Sequence, residues 1–437
     1  MAQKSDHGYA TCRMELRQSS SKALDRVTQA LGFDVRFYGK SFVWLGFGQA
    51  SGVLRGVATT FLMARWLPRN TMGEFRYVLA MFALAGMFAA GGVSAGIIRG
   101  IAKGDTIVVW AGMKRILMIA PLGSLVLLIA AIERWYVGET HVAMALAFSG
   151  ALFPVYAICG LYGSILTGQE RIQRLTKIAV INNTIFAMCF FFVIWKTKEL
   201  LPVFFAYLGL DILFRGFITW NEIRKLPKQG SADEHVKLGD HLNAIGIIQA
   251  LAAQLDQILL QSLAGYGTLA NYSIATLIPE QMKDFVNAIG GVMLRRFSTR
   301  EQNQKTLAQT RKHFWTMLGL SGLMIASYVV IAPIAIPLLF PQYGNEVLPS
   351  IVYAIGLFGL ASIVGINYFQ AHHNVKALWQ FYGVNTVLQI ASNVILIPLF
   401  GAWGAVISKT LTRLTGIPLT YPRASSRNTT DDTKASS

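Results

Sequence analysis

YVLAMFALAGMFAAGGVSAGII, from Tyr77 to Ile98, runs for 22 residues without one charged side chain. A helix of about 20 such residues crosses the ~30 Å hydrocarbon core of a bilayer at 1.5 Å per residue. A water-soluble helix of that length would show a polar face opposite its apolar one, and this one shows none. The stretch reads as a membrane span. The whole chain has the matching composition, with 53% hydrophobic and 14% charged residues, against about 25% charged in an average soluble domain.

Similar blocks recur along the 437 residues. The expected spans are 42–64, 77–98, 115–132, 142–165, 178–196, 201–221, 242–263, 272–294, 314–339, 347–370, 377–398 and 401–421. The fold class expected is therefore an all-α polytopic membrane protein of about 12 transmembrane helices. Residues 1–41 form a polar, basic N-terminal tail in which KALDRVTQALGFDVRF, from Lys22, reads as a surface amphipathic helix. Residues 422–437 read as a disordered tail. No cleavable signal is expected, so the first span serves as the insertion signal.

The formal net charge is +17, which in a soluble protein would suggest nucleic acid. Its distribution says otherwise. With the N-terminus inside, cytoplasmic segments hold 28 of the 39 Lys and Arg, the opposite loops hold 6 and the spans hold 5. That bias places both termini in the cytoplasm of a multi-pass inner-membrane protein and removes the case for nucleic acid. The outer loops are short, the longest running from Arg65 to Arg76. Cys12, Cys159 and Cys189 lack metal-ligand or CxxC spacing and read as free thiols. His372 and His373 sit in a loop with no further ligands nearby and read as solvated; neither a metal nor a cofactor is expected. No P-loop or nucleophile elbow is present, so ATP-driven pumping and acyl-transfer chemistry have no sequence support.

The chain also repeats itself. Phe75 to Arg99 and Tyr272 to Arg296 are both 24 residues, an offset of 197. ILTGQERIQRLTKIAVIN from Ile165 lies against NYFQAHHNVKALWQFYGVN from Asn367, pairing Gly168 with Ala371, Leu175 with Leu378 and Asn182 with Asn385. Both offsets correspond to six spans, and an even number preserves orientation. The expectation is two parallel six-helix lobes, 42–223 and 242–421, joined by a cytoplasmic linker at 224–241 and related by an axis along the membrane normal.

Ionisable side chains within spans cost about 2.5–3.5 kcal/mol each on insertion scales, so each asks for a reason. Arg55 lies ~20 Å deep in the first span, flanked at i−4 and i+4 by Ser51 and Thr59, with Gly48, Gly52 and Gly56 forming a GxxxG ladder on a neighbouring face. It faces water or an internal partner. The seventh span carries Asn243, Gln249, Gln254, Asp256, Gln257 and Gln261, polar over nearly half its circumference, and must line a cavity or a lobe interface. Asp256 is a cation or proton site or a counter-charge. The eighth carries Glu280, Lys283 and Asp284 after Pro279, which frees a backbone carbonyl. Asp211 and Arg215 stand at i, i+4 in the sixth span, the spacing of a local salt bridge. Lys409 and Arg413 stand likewise in the twelfth, where Arg413 can snorkel to the surface and Lys409 is too deep to do so. Cations and acids inside the spans are nearly balanced, so a cationic cavity depends on which of them pair.

These residues sit within familiar surroundings. ARWLPRNTMGEFRYVLAMF from Ala64, with Leu67, Gly73 and Phe75 on the family pattern, resembles the first hairpin of the polysaccharide-biosynthesis flippases of the O-antigen translocase (Wzx) type. QLDQILLQSLAGYGTLANYSIA from Gln254 is similar to their second-half counterpart, with Asp256 and Tyr272 on its Asp and aromatic. IPLFGAWGAVISKTLTRL from Ile397 is similar to their last helix, at Gly401, Gly404 and Ala405, and LLFPQYGNEVLPSIVYAIGL from Leu338 to their ninth-to-tenth junction. The resemblance covers most of 40–421 and rests on the order and spacing of motifs that are individually weak.

It implies the multidrug/oligosaccharidyl-lipid/polysaccharide (MOP) exporter superfamily: two lobes around a central cavity that opens alternately to each side. The implied cargo is an undecaprenyl-pyrophosphate-linked oligosaccharide, with polysaccharide polymerase and other assembly proteins as possible partners and membrane lipid as the surroundings. Arg55 and Asp256 are the first candidates for the cavity, followed by Lys283, Lys409, Gln249 and Gln257. Glu280, Asp211, Arg215 and Asp256 could couple to an ion or serve as counter-charges. Arginine or lysine can hold a diphosphate, and Gln or Asn can bond sugar hydroxyls. Three rivals stay open. A multidrug extruder of the same superfamily would want unpaired acids and aromatics; a lipid II flippase would also want deep arginines but usually has helices beyond twelve; a membrane glycosyltransferase or polymerase would want a large outer loop.

Overall fold

A computed structural model describes residues 35–89, 91–230, 233–298, 304–371 and 375–421. Cys12, His372, His373 and most of the expected surface helix lie outside the described residues, as do the side chains of Asn243 and Gln249. Every described element is helical, and the connections are short enough to force consecutive helices side by side. In chain order they are α1 (Val35–Trp66), α2 (Arg69–Ala85), α3 (Gly91–Lys103), α4 (Val108–Tyr136), α5 (Thr140–Cys159), α6 (Leu161–Gly168), α7 (Ile172–Thr197) and α8 (Leu200–Arg224). Then come α9 (Asp233–Ser298), α10 (Gln304–Leu339), α11 (Val347–Ile355), α12 (Ser362–Ala371), α13 (Val375–Phe400) and α14 (Ala402–Thr420).

Three expected spans are broken rather than straight. Short 3-10 turns at Gly86–Phe88 and Gly356–Ala361 separate α2 from α3 and α11 from α12, and Gly160 separates α5 from α6. The helix runs on through Pro279; the break in α9 falls at Gly265, whose φ of 79° and ψ of 174° suit only a residue without Cβ. Gly265 thus replaces the expected loop between spans seven and eight with a one-residue corner. The expected Arg65–Arg76 loop shrinks in the same way. Pro68, extended at ψ 148°, ends α1 and starts α2 at Arg69, so Arg76 lies two turns inside a helix.

Seven described helices are long and apolar enough to cross a membrane, and the pair Arg69–Phe88 and Gly92–Lys103, bent by 52°, makes eight. The other four expected spans are helical but less apolar: α1, both arms of α9, and α14. They carry Arg55, Asp256, Glu280 with Lys283, and Lys409 with Arg413. Elsewhere the outer faces are lipid-like; Leu122, Leu125, Ile129 and Ile132 of α4 are exposed.

In the first half α1 packs on α7, α4 on α5, and α8 on α5 and α7; in the second, α13 packs on α14, and α10 and α14 on the 356–361 turn. The halves meet where α9 lies along α2 and α3. One end of the seam is that of the Leu67–Pro68 and Gly265 corners. There Ala64 and Met72 share an apolar cluster with Ala270, Ile274, Leu277, Phe340 and Tyr343. Arg69 Nε donates to Asn271 Oδ1 at 2.7 Å. Tyr266 donates its hydroxyl to Glu139, which also receives Arg134 at 3.3 Å. Burial and that carboxylate push the Tyr266 phenol up, keeping it a donor. Asn70 and Gly267, which correspond at the 197-residue offset, lie side by side.

The GxxxG reading of α1 needs correction. Gly48 contacts Thr176 of α7 and Gly56 contacts Gln281 of α9, while Gly52 meets nothing within 4 Å. The three glycines serve different neighbours, and no single helix packs along them. The close approach falls instead at Gly73, where a Cβ would lie 1.9 Å from the Tyr266 carbonyl oxygen. Gly73→Val should therefore force the seam apart and lower the thermal midpoint of the detergent-purified protein by several degrees, overpacking costing ~1–3 kcal/mol or more. Gly46→Ala, which meets nothing within 4 Å, should not lower it.

Candidate functional site

The buried charges gather into two clusters, one in each half. In the first, α1 presents Arg55 to α7 and α8. Its Nη2 donates to Asp211 Oδ1 at 3.1 Å and its Nη1 to Asn183 Oδ1 at 3.3 Å. The guanidinium lies 3.5 Å from the centroid of the Phe186 ring, a cation–π contact of ~0.5–2 kcal/mol. Asn183 in turn donates to Ser51 Oγ at 3.0 Å, so the expected polar stripe of α1 is bonded to α7. The i, i+4 pair is present as well: Arg215 Nε lies 3.0 Å from Asp211 Oδ2, but out of line for a hydrogen bond. Asp211 is only 3% exposed and faces two guanidinium groups, so the cluster carries one positive charge in excess.

The second cluster spans both arms of α9, α11 and α14. Asp256 is fully buried; its Oδ2 accepts from Lys409 Nζ at 2.9 Å and from the Tyr272 hydroxyl, while Oδ1 has no partner. Lys409 also donates to the Ala253 carbonyl at 3.0 Å. About two turns beyond Tyr272, Glu280 accepts from Lys283, Arg413 and the Tyr353 hydroxyl. The Tyr272 and Tyr353 rings, 6.4 Å apart and nearly perpendicular, join the two carboxylates into one network. With Lys283 3.8 Å from Asp284, three cations face three carboxylates and the cluster is neutral.

The sequence-derived candidates therefore separate. Arg55, Asp211 and Arg215 come together in one half; Asp256, Lys409, Glu280 and Lys283 come together in the other, with no member in common. Arg55 and Asp256, expected to face one cavity, share no hydrogen-bond partner among the described residues. Gln257 donates to Gln254 at 3.2 Å and touches neither cluster through a hydrogen bond. Arg413, expected to snorkel, turns inward to Glu280 because its length spans the gap from α14 to α9.

Some of the site was missed. Tyr353 carried no signal beyond an aromatic in an apolar run. Glu222 was not among the candidates, yet it is 3% exposed and bonded to Arg174, with Lys225 Nζ at 3.5 Å. Beside the first cluster lies a cavity of about 380 Å³, walled by Leu79, Phe82, Phe153, Tyr156 and Tyr207, with Asp211 at its rim.

A polytopic helical membrane protein with paired helix bundles and charge held between the helices defines a class, and three solved structures share its fold. The inward closed conformation of lipid II flippase MurJ matches with a TM-score of 0.64 and 16% identity, over 87% of this chain and 86% of that one. An inward-facing multidrug resistance MATE family transporter of the MOP superfamily matches with 0.63 and 13%, over 87% and 96%. An outward-facing one gives 0.62 and 15%, over 87% and 92%. No curated protein matches. The model of the family described as polysaccharide biosynthesis protein matches residues 38–299, and the chain belongs to that family.

Removing one partner of a buried ion pair strands the other at a cost of ~3–5 kcal/mol. Asp211→Asn should destabilise the purified protein accordingly, and Arg55→Gln in the same chain should restore part of the loss. Simple addition of the two single effects in a double-mutant cycle would mean that the pair is not coupled.

Proposed function

We propose that the protein is a flippase that carries a lipid-linked oligosaccharide, an undecaprenyl-pyrophosphate-bound repeat unit, across a bacterial cytoplasmic membrane by alternating access. The observation that carries this reading is the charge asymmetry between the clusters. The second-half network is neutral, whereas Arg55 and Arg215 together outnumber Asp211. An excess guanidinium at mid-helix depth attracts an anion, and a diphosphate offers the oxygens that a guanidinium fork binds in bidentate fashion. Family membership supplies the saccharide. The aromatic walls of the neighbouring cavity suit the apolar faces of sugar rings, and the lipid tail can stay in the bilayer while the headgroup crosses. Both termini are cytoplasmic on this reading, which puts the sealed seam on the outer side. O-antigen, capsule and exopolysaccharide are alternative end products, and a polymerase is the natural acceptor.

The aromatic cavity also favours a second reading, a multidrug transporter for organic cations. Such a cargo needs a free carboxylate. Asp211 is already engaged by two arginines, so the flippase reading fits better.

Deletion of the gene should cause the lipid-linked saccharide to accumulate on the cytoplasmic leaflet, where a membrane-impermeant glycosidase applied to inside-out vesicles releases it. Arg55→Gln should fail to complement the deletion and Arg55→Lys should complement in part. Unchanged glycans combined with new sensitivity to cationic drugs would establish the second reading instead.

A further inference from the structure

Among the described residues, the arginines and lysines held between the helices each have a carboxylate within 4 Å: Arg55, Arg215, Lys283, Lys409 and Arg413. Arg76 is the exception. It sits on α2 between Phe75 and Tyr77, both buried. Its one hydrogen bond runs from Nη2 to Thr60 Oγ1 of α1 at 2.6 Å, and its Nε is buried without a partner. Two phenols, Tyr207 of α8 and Tyr343 of the second half, interact with it electrostatically. A guanidinium held by one neutral hydroxyl inside the membrane is among the most expensive arrangements a helix can keep. Among the described residues, none supplies Arg76 with a carboxylate within 4 Å.

Its position is informative. Met72, one turn away on α2, contacts Tyr343 across the seam, so Arg76 lies directly beneath the sealed end. Leu79, one turn further in, lines the 380 Å³ cavity, as do Tyr207 and Asp211. The cavity thus lies between the Arg55–Asp211–Arg215 cluster and the neighbours of Arg76.

We propose that Arg76, positioned by the Thr60 hydroxyl, is a second anion-binding position, which takes the diphosphate of the lipid-linked cargo next to the outer seam. This rests on the flippase reading and assigns it a residue. Arg55 would hold the headgroup at mid-helix depth and Arg76 would hold it where the seam must part, so the diphosphate always has a guanidinium within reach. Bidentate recognition makes the arginine itself matter.

The test uses the full-length protein in nanodiscs. Its thermal midpoint is followed against undecaprenyl pyrophosphate in the lipid, and separately against inorganic pyrophosphate in solution. The lipid diphosphate should stabilise the wild type; Arg76→Gln should need at least tenfold more of it, Arg76→Lys should fall between, and Thr60→Val should weaken the response a few-fold. Should Arg76→Gln not fold, Arg76→Lys and Thr60→Val decide the matter. Wild-type responses in all variants would overturn the role of Arg76 and leave the flippase reading standing. Stabilisation by inorganic pyrophosphate as strong as by the lipid would overturn the assignment to a lipid headgroup. No response of the wild type to the lipid diphosphate would overturn the flippase reading itself.

Discussion

A charge inside a bilayer must be paired, hydrated or absent, and the interior of this protein follows from how it meets that demand. Arg55 ties α1 to α7 and α8 because Asp211 and Asn183 are where its donors can be satisfied. Lys409 and Arg413 tie α14 to the two arms of α9 for the same reason. The same side chains lower the hydropathy of α1, α9 and α14 below that of an ordinary span. These helices therefore cannot present all sides to lipid, and their places between other helices follow from their composition.

The clusters differ in kind. In the second half, cations and carboxylates cancel, and two tyrosines bridge them into a rigid unit. In the first, carboxylates are outnumbered, and Arg76 adds a cation without any. A neutral network makes a scaffold; an unbalanced one makes a receptor for negative charge. Between them runs the seam, drawn tight at one end by the Gly73–Tyr266 approach and the Tyr266–Glu139 hydrogen bond. The apolar contact between the halves extends past that end, for the large core cluster runs from Met63, Phe75 and Phe82 of the first half into Leu260, Leu269, Tyr272 and Tyr353 of the second.

Membrane class, helical content and most helix positions were legible because hydrocarbon thickness imposes a length and a composition on the chain. So was the Asp211–Arg215 pair, since i, i+4 spacing is local. Which helices the other charges bridge was not legible: Arg55 to Asp211 is 156 residues and Lys409 to Asp256 is 153, and no periodicity encodes contacts at that range. Arg76 was hidden for another reason. It precedes an apolar run and counts as a loop residue until Pro68 is seen to start the helix eight residues earlier. Gly265 was hidden in the same way, because a one-residue corner leaves no polar segment to read.

The central claim is that an anionic lipid headgroup crosses along the positively charged half. Its most direct measurement is the leaflet distribution of an undecaprenyl-pyrophosphate-linked saccharide, added to one side of liposomes that contain the purified protein and followed by access to an impermeant lectin. Transfer to the opposite leaflet well above that of protein-free liposomes, abolished when Arg55 and Arg76 are both changed to Gln, is the predicted result. Transfer no faster than in protein-free liposomes, or transfer indifferent to both arginines, would contradict it.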